Sequence, residues 1–111
     1  MTTTQFFSQN WEASAGDVAN GYINNWALVT SHKIRLLHIS LQHDGARHVK
    51  LYVYPQGQTA QYNLVDDNFA DGVDACWNGS MILSSVTSIG AQMLTPVAGD
   101  KSWLRVIWEE L

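Results

Sequence analysis

At 111 residues, 46% of them hydrophobic and only 14% charged, the chain is long enough for one two-layer core and too short for two ordinary domains. Its net charge is −4 and its six lysines and arginines are spread singly, so no basic run follows a phosphate backbone, which excludes nucleic acid and anionic membrane as partners. The low charge also excludes disorder, and with five Trp and four Tyr it forces some aromatic area to the surface, where it favours contact with a partner.

The first residues, Met1 to Phe7, lack the basic and long apolar regions of a secretory signal, and no uninterrupted apolar stretch approaches membrane-spanning length. Synthesis in a cytoplasm is the expectation. Phe6 to Ser14 and Tyr22 to Thr30 are expected as strands, with Asn24-Asn25 an irregularity. Helical periodicity is scarce throughout.

Lys33 to His43 alternates, but the alternation slips. Ile34 and Leu36 share one face, while Leu37, Ile39 and Leu41 share the other, and a β-bulge at Leu36-Leu37 would rotate both sets to the core. Asp44-Gly45-Ala46 then predicts a tight turn. Arg47 to Pro55 returns with Val49, Leu51 and Val53 on one face and Lys50, Tyr52 and Tyr54 on the other, the clearest hairpin in the chain.

Pro55 to Gln58 ends that strand, and Ala60 to Val65 begins another that runs into an acidic loop from Asp66 to Asp74. Ala75-Cys76-Trp77 and Met81-Ile82-Leu83 read as two short strands about an Asn78-Gly79 turn, and Ser84 to Leu94 is ambiguous. Ala98 to Lys101 is a turn. Ser102 to Glu110 closes the chain as a central strand, with Leu104, Val106 and Trp108 inward and Trp103, Arg105, Ile107 and Glu109 opposite. About 7–9 strands at this spacing predict an all-β, single-domain antiparallel sandwich spanning 1–111, with residues 1–20 either an N-terminal arm or an edge strand.

Several constellations bear on chemistry. His32, His38, His43 and His48 fall close together, and His43 and His48 flank the expected turn, but two ligands do not make a metal site; a solvated hairpin end is the plainer reading. Asp66, Asp67, Asn68, Asp71 and Asp74 offer oxygens suited to calcium, yet their spacing departs from the helix-loop-helix pattern, and a soluble loop accounts for them. The lone Cys76 excludes an internal disulfide and reads as a small buried hydrophobe. No Ser, His and Asp fall in a nucleophile elbow, and Glu12, Glu109 and Glu110 are isolated near the termini, so no enzyme activity, cofactor or metal is expected. Trp26, Trp77 and Trp108 sit among core positions. Phe6, Phe7, Trp11, Tyr52, Tyr54 and Trp103 are the candidates for an interaction surface, serving either protein contact or the stacking of sugar rings.

The run Ile34-Arg35-Leu36-Leu37-His38-Ile39-Ser40-Leu41-Gln42-His43, followed by Val49 to Val53 and Ala60-Gln61-Tyr62-Asn63-Leu64, resembles small virion proteins of tailed bacteriophages. Trp77 and the closing Gly99-Asp100-Lys101-Ser102-Trp103-Leu104-Arg105-Val106-Ile107-Trp108 complete the likeness, which covers roughly residues 30 to 110 and rests on strands and turns, not on a chemical site. The resemblance implies a jelly-roll-like sandwich that decorates a capsid exterior, as in the decoration proteins of epsilon15-like phages. It would be assembled in the bacterial cytoplasm, with the major capsid protein and neighbouring copies of itself as partners. A homodimer or homotrimer would cover exposed sheet edges. A carbohydrate-binding sandwich module or receptor-recognition domain is the alternative.

Overall fold

The computed structural model describes residues 3–30, 33–44, 48–55, 63–68, 75–83 and 87–111, with side chains described except at 3, 23–30, 54–55, 63–68 and 87–88. Eight strands and one short helix follow in chain order: β1 (Thr3–Glu12), α1 (Ala15–Asn20), β2 (Tyr22–Thr30), β3 (Ile34–His43), β4 (His48–Pro55), β5 (Asn63–Asn68), β6 (Ala75–Leu83), β7 (Thr87–Leu94) and β8 (Lys101–Glu110).

Two antiparallel four-stranded sheets, ordered β1-β8-β3-β6 and β2-β7-β4-β5, face each other. The first half of the chain pairs with the second in reverse order, β1 with β8, β2 with β7, β3 with β6 and β4 with β5, so every strand pair except the consecutive β4 and β5 is long-range. This is the strand order of a jelly roll, in which successive strands, apart from the central pair β4 and β5, alternate between layers and wrap a single core. The all-β sandwich expected from the sequence is therefore the fold, and residues 3–12 form an edge strand of it, not an arm.

The core draws one alternating set from each inner strand: Ile34, Leu36, Ile39 and Leu41 from β3, Leu104, Val106 and Trp108 from β8, Val49, Leu51 and Val53 from β4, and Ile89, Ala91 and Met93 from β7. The parity slip in β3 is resolved where the sequence places it. Against β8 the register passes from Leu36–Trp108 to His38–Ile107, which leaves Leu37 as the extra residue of a bulge. Either half of β3 would otherwise turn two large aliphatic side chains to water, at about 1.5–3 kcal/mol each.

Four expectations are corrected. The turn after His43 does not make a hairpin, because β3 and β4 lie in different sheets. Alternation shows which face of a strand is buried but not which strand it pairs with. Instead, the Asp44 N–H donates to the Lys101 carbonyl at 3.1 Å and the Lys101 N–H donates to Asp44 Oδ1 at 2.7 Å, so the end of β3 is fastened to the start of β8. Asn78-Gly79 is not a turn either; β6 runs straight through it, and the two residues Gly79 and Ser80 accommodate the bulge opposite Leu37. A Cβ on Gly79 would stand 2.7 Å from the Trp77 ring, so the glycine makes room for an indole packed against the core.

Asp66, Asp67 and Asn68 belong to β5 and pair with Leu51, Lys50 and Val49, not to a loop, whereas residues 60–62 and 69–74 lie outside the described residues. Cys76 is exposed, because it occupies the outward parity of β6 between inward Ala75 and Trp77.

The helix α1 was not signalled by periodicity, since six residues are under two turns. Its signature is in the caps: the Asp17 N–H donates to Ser14 Oγ at 3.2 Å, the Ser14 N–H donates to Asp17 Oδ2 at 2.8 Å, and Gly21 ends the helix at φ 84°. Nearby, the Ala13 N–H donates to the Asp100 carbonyl and the Gly99 N–H to the Ala13 carbonyl, which ties the chain after β1 to the turn before β8.

Deletion of Leu37 should abolish cooperative unfolding in a urea titration followed by tryptophan fluorescence, whereas Leu37→Ala keeps the bulge backbone and should retain it. Cys76 should react fully with a thiol reagent in the absence of denaturant; a thiol that reacts only on unfolding would contradict its outward position.

Candidate functional site

The outward residues of the β1-β8-β3-β6 sheet form one continuous face, and the registers place them in rows. Asn10, Trp103 and Gln42 make one row, Ser8, Arg105, Ser40 and Cys76 the next, then Phe6, Ile107, His38 and Asn78, and finally Thr4, Glu109 and Arg35, with Ile82 beside Arg35. Rows of this kind follow from the period of two: inward Leu104, Val106 and Trp108 send Trp103, Arg105, Ile107 and Glu109 outward.

Polar contacts order part of this face. Arg35 Nε lies 3.9 Å from Glu109 Oε2, and its Nη1 donates to Ser80 Oγ at 3.3 Å. Exposed pairs of this length contribute little to stability. His38 Nδ1 is 2.7 Å from Asn78 Oδ1, and Asn78 Nδ2 reaches Cys76 Sγ at 3.3 Å. An amide oxygen only accepts, so this contact puts a proton on His38 Nδ1. The amide stands between imidazole and thiol, which leaves the imidazole poorly placed to activate the sulfur.

The predicted surface residues separate into three groups. Phe6 is 72% exposed and Trp103 is 39% exposed, both on this outer face. Phe7 and Trp11 point the other way, opposite Val106 and Ser102, and pack against the rim of the core. Tyr52 is only 8% exposed and is no part of an open surface, a correction to its expected role; the side chain of Tyr54 lies outside the described residues. Alternation put both tyrosines on the outer face of β4, but β4 is an inner strand between β7 and β5, where the outward side of a sheet can still be covered.

Beside Trp103 the face is concave. A depression of about 340 Å³ is lined by Ser8, Gln42, His43, Trp103 and Arg105, and a smaller one adjoins it at Ser40. Ser8, Ser40 and Gln42 carried no signal in the sequence, because a single outward Ser or Gln is ordinary on any strand. Only the register brings three strands' polar groups around one indole.

Of the histidines, His43 is buried at the inward end of β3 and His48 is half-buried at the start of β4, on the other sheet, which removes the cross-strand pair expected from the turn. Among the described residues no three His, Cys, Asp or Glu side chains converge as metal ligands. His32, Asp71 and Asp74 lie outside the described residues, as does the side chain of Trp26. Trp77 packs half-buried on the core and Trp108 is buried within it.

No family's sequence pattern matches the chain, and no curated protein matches it in sequence. Solved structures do. A chain of the Bacillus endospore appendages, a family of disulfide-linked pili, superposes with a TM-score of 0.54 at 16% identity, over 98% of this chain and 87% of that one. The Aeromonas hydrophila periplasmic inhibitor of g-type lysozyme gives a TM-score of 0.45 at 12% identity, over 96% and 85%. VP2 of the infectious bursal disease virus subviral particle gives 0.37 at 16% identity, over 98% of this chain and 32% of that one. None of these is a phage decoration protein, and at such identities the likeness to the pilus chain establishes the fold alone: this chain is a β-sandwich of a kind also found in a pilus.

Proposed function

We propose that the chain is a structural protein of a bacteriophage virion that binds the outer surface of the capsid and stabilises the shell. The observation that carries this reading is the outer face of the β1-β8-β3-β6 sheet, where Phe6 and Trp103 stand exposed on neighbouring strands with Ile107 beside Phe6. The two aromatics are four positions apart along the strand direction, roughly 13 Å, a span suited to anchors at the centre of a protein contact. Arg105 stands between them, and the paired Arg35 and Glu109 occupy the next row beyond Phe6 and Ile107. The resemblance of residues 30 to 110 to small virion proteins points the same way.

The mechanism is additive contact with the major capsid protein. A copy that binds the assembled shell and not free subunits stabilises the shell by mass action, and no catalytic step is involved. The virion exterior is then the place of action.

The depression beside Trp103 favours a second reading, a carbohydrate-binding module. An indole next to hydroxyls, an amide and a guanidinium offers a stacking surface and hydrogen-bond partners to a sugar ring.

Co-sedimentation with undecorated phage shells separates the two. The protein should bind shells and raise their melting temperature, and Phe6→Ala combined with Trp103→Ala should weaken binding about tenfold or more while leaving the unfolding midpoint unchanged. Absence of shell binding, together with Trp103-dependent signals on a glycan array, would replace the capsid reading with the sugar-binding one.

A further inference from the structure

A jelly roll leaves four sheet edges, and here they are unequal. The strands at those edges are β1, β6, β2 and β5. In β6 the register breaks opposite Leu36 and His38, in β2 it breaks between Leu28 and Thr30, and in β5 it breaks against Leu51 and Tyr52, where the strand also carries Asp66 and Asp67. Bulges and charges of this kind twist or repel an edge away from further pairing.

β1 has neither device. Ten consecutive residues, Thr3 to Glu12, keep unbroken register with Glu110 to Lys101 of β8. The strand contains no Lys, Arg or Pro, and its single charge, Glu12, is at one end. Among the described residues, β8 is the one strand that pairs with it. Its far side presents a straight row of backbone donors and acceptors flanked by aromatic side chains on both faces, Phe6 outward and Phe7 and Trp11 inward. Backbone groups so arranged are a template for strand addition.

We infer that this edge pairs with β1 of a second copy of the chain, antiparallel about a two-fold axis normal to the sheet. Charge selects the self-pairing. With Ser8 opposite Ser8 of the second copy, Glu12 falls opposite Thr4, and the two Glu12 carboxylates lie at opposite ends of the ribbon, roughly 27 Å apart. The same register sets Phe7 opposite Gln9 and Trp11 opposite Gln5, so each half-buried aromatic gains a cover at the rim of the core. Like faces meet on the same side, and the two outer faces become one eight-stranded surface with two copies each of Phe6 and Trp103. The contact is isologous and leaves only the interrupted β6 edges at the ends of the extended sheet, so assembly closes at two copies.

The inference does not depend on what the outer face binds, and its test needs no ligand. Light scattering coupled to size exclusion, over a range of protein concentrations, should give twice the 12.4 kDa of one chain. Ser8 and Gln9 are both exposed on β1, and Ser8→Lys combined with Gln9→Lys should return a 12.4 kDa monomer that still unfolds cooperatively, at a midpoint that no longer rises with protein concentration. Ile82→Lys, on the β6 edge of the same sheet, should leave the dimer intact. Hydrogen exchange on the unmodified protein gives an independent readout, since amides of residues 4–11 that point away from β8 should slow as concentration rises. A monomer at every concentration, a trimer or larger assembly, a dimer that survives the double lysine variant, or a dimer in which those amides stay unprotected would each overturn it.

Discussion

The bulge at Leu37 is the constraint on which the rest of the structure depends. β3 is bonded to β8 on one side and β6 on the other, and its apolar residues fall on two parities, Ile34 and Leu36 against Ile39 and Leu41. One extra residue brings all four to the core. By the same rotation Arg35 on one side of the bulge and His38, Ser40 and Gln42 on the other share the outward face. Their meeting with β8's Trp103, Arg105, Ile107 and Glu109 is thus a consequence of burying aliphatic side chains.

The face that results sets exposed aromatic side chains among polar groups that are partly bonded to one another. Several of its polar groups are paired locally, Arg35 Nη1 with Ser80, His38 with Asn78 and Asn78 with Cys76, while Arg35 Nε lies 3.9 Å from Glu109 and makes no hydrogen bond among the described residues. Its apolar groups, Phe6, Ile107 and Trp103, stand on two adjacent strands held in register over ten residue pairs, so their spacing is rigid. Rigid aromatic anchors lose little conformational entropy on binding, which is why a sheet face can serve a partner surface without any moving part.

The unequal edges connect that face to assembly. Three edges carry a break in register, and such interruptions protect an edge from further pairing. β1 keeps unbroken register with β8, and two copies joined there would present the anchors in duplicate. Two linked sites on a repetitive surface bind far more tightly than one when their separation matches the repeat.

By itself the sequence determined the fold class, the bulge, and the inward sets of β3, β4 and β8, because period-two burial is a local property that neighbouring residues spell out. It also marked Phe6 and Trp103, which remain outward in the folded chain. What it did not contain was the pairing. The Asp44 turn looked like a hairpin and Asn78-Gly79 like another, since short loops ordinarily join adjacent strands; the tertiary structure sent β3 and β4 to opposite layers and kept β6 whole. Tyr52 read as surface and Cys76 as core, and both were reversed, because outward parity exposes a residue only where nothing covers that part of the sheet. Ser8, Ser40 and Gln42 acquire meaning only beside Trp103, and that proximity is set by strand order: residues more than ninety positions apart in the chain become neighbours through backbone hydrogen bonds that no local pattern records.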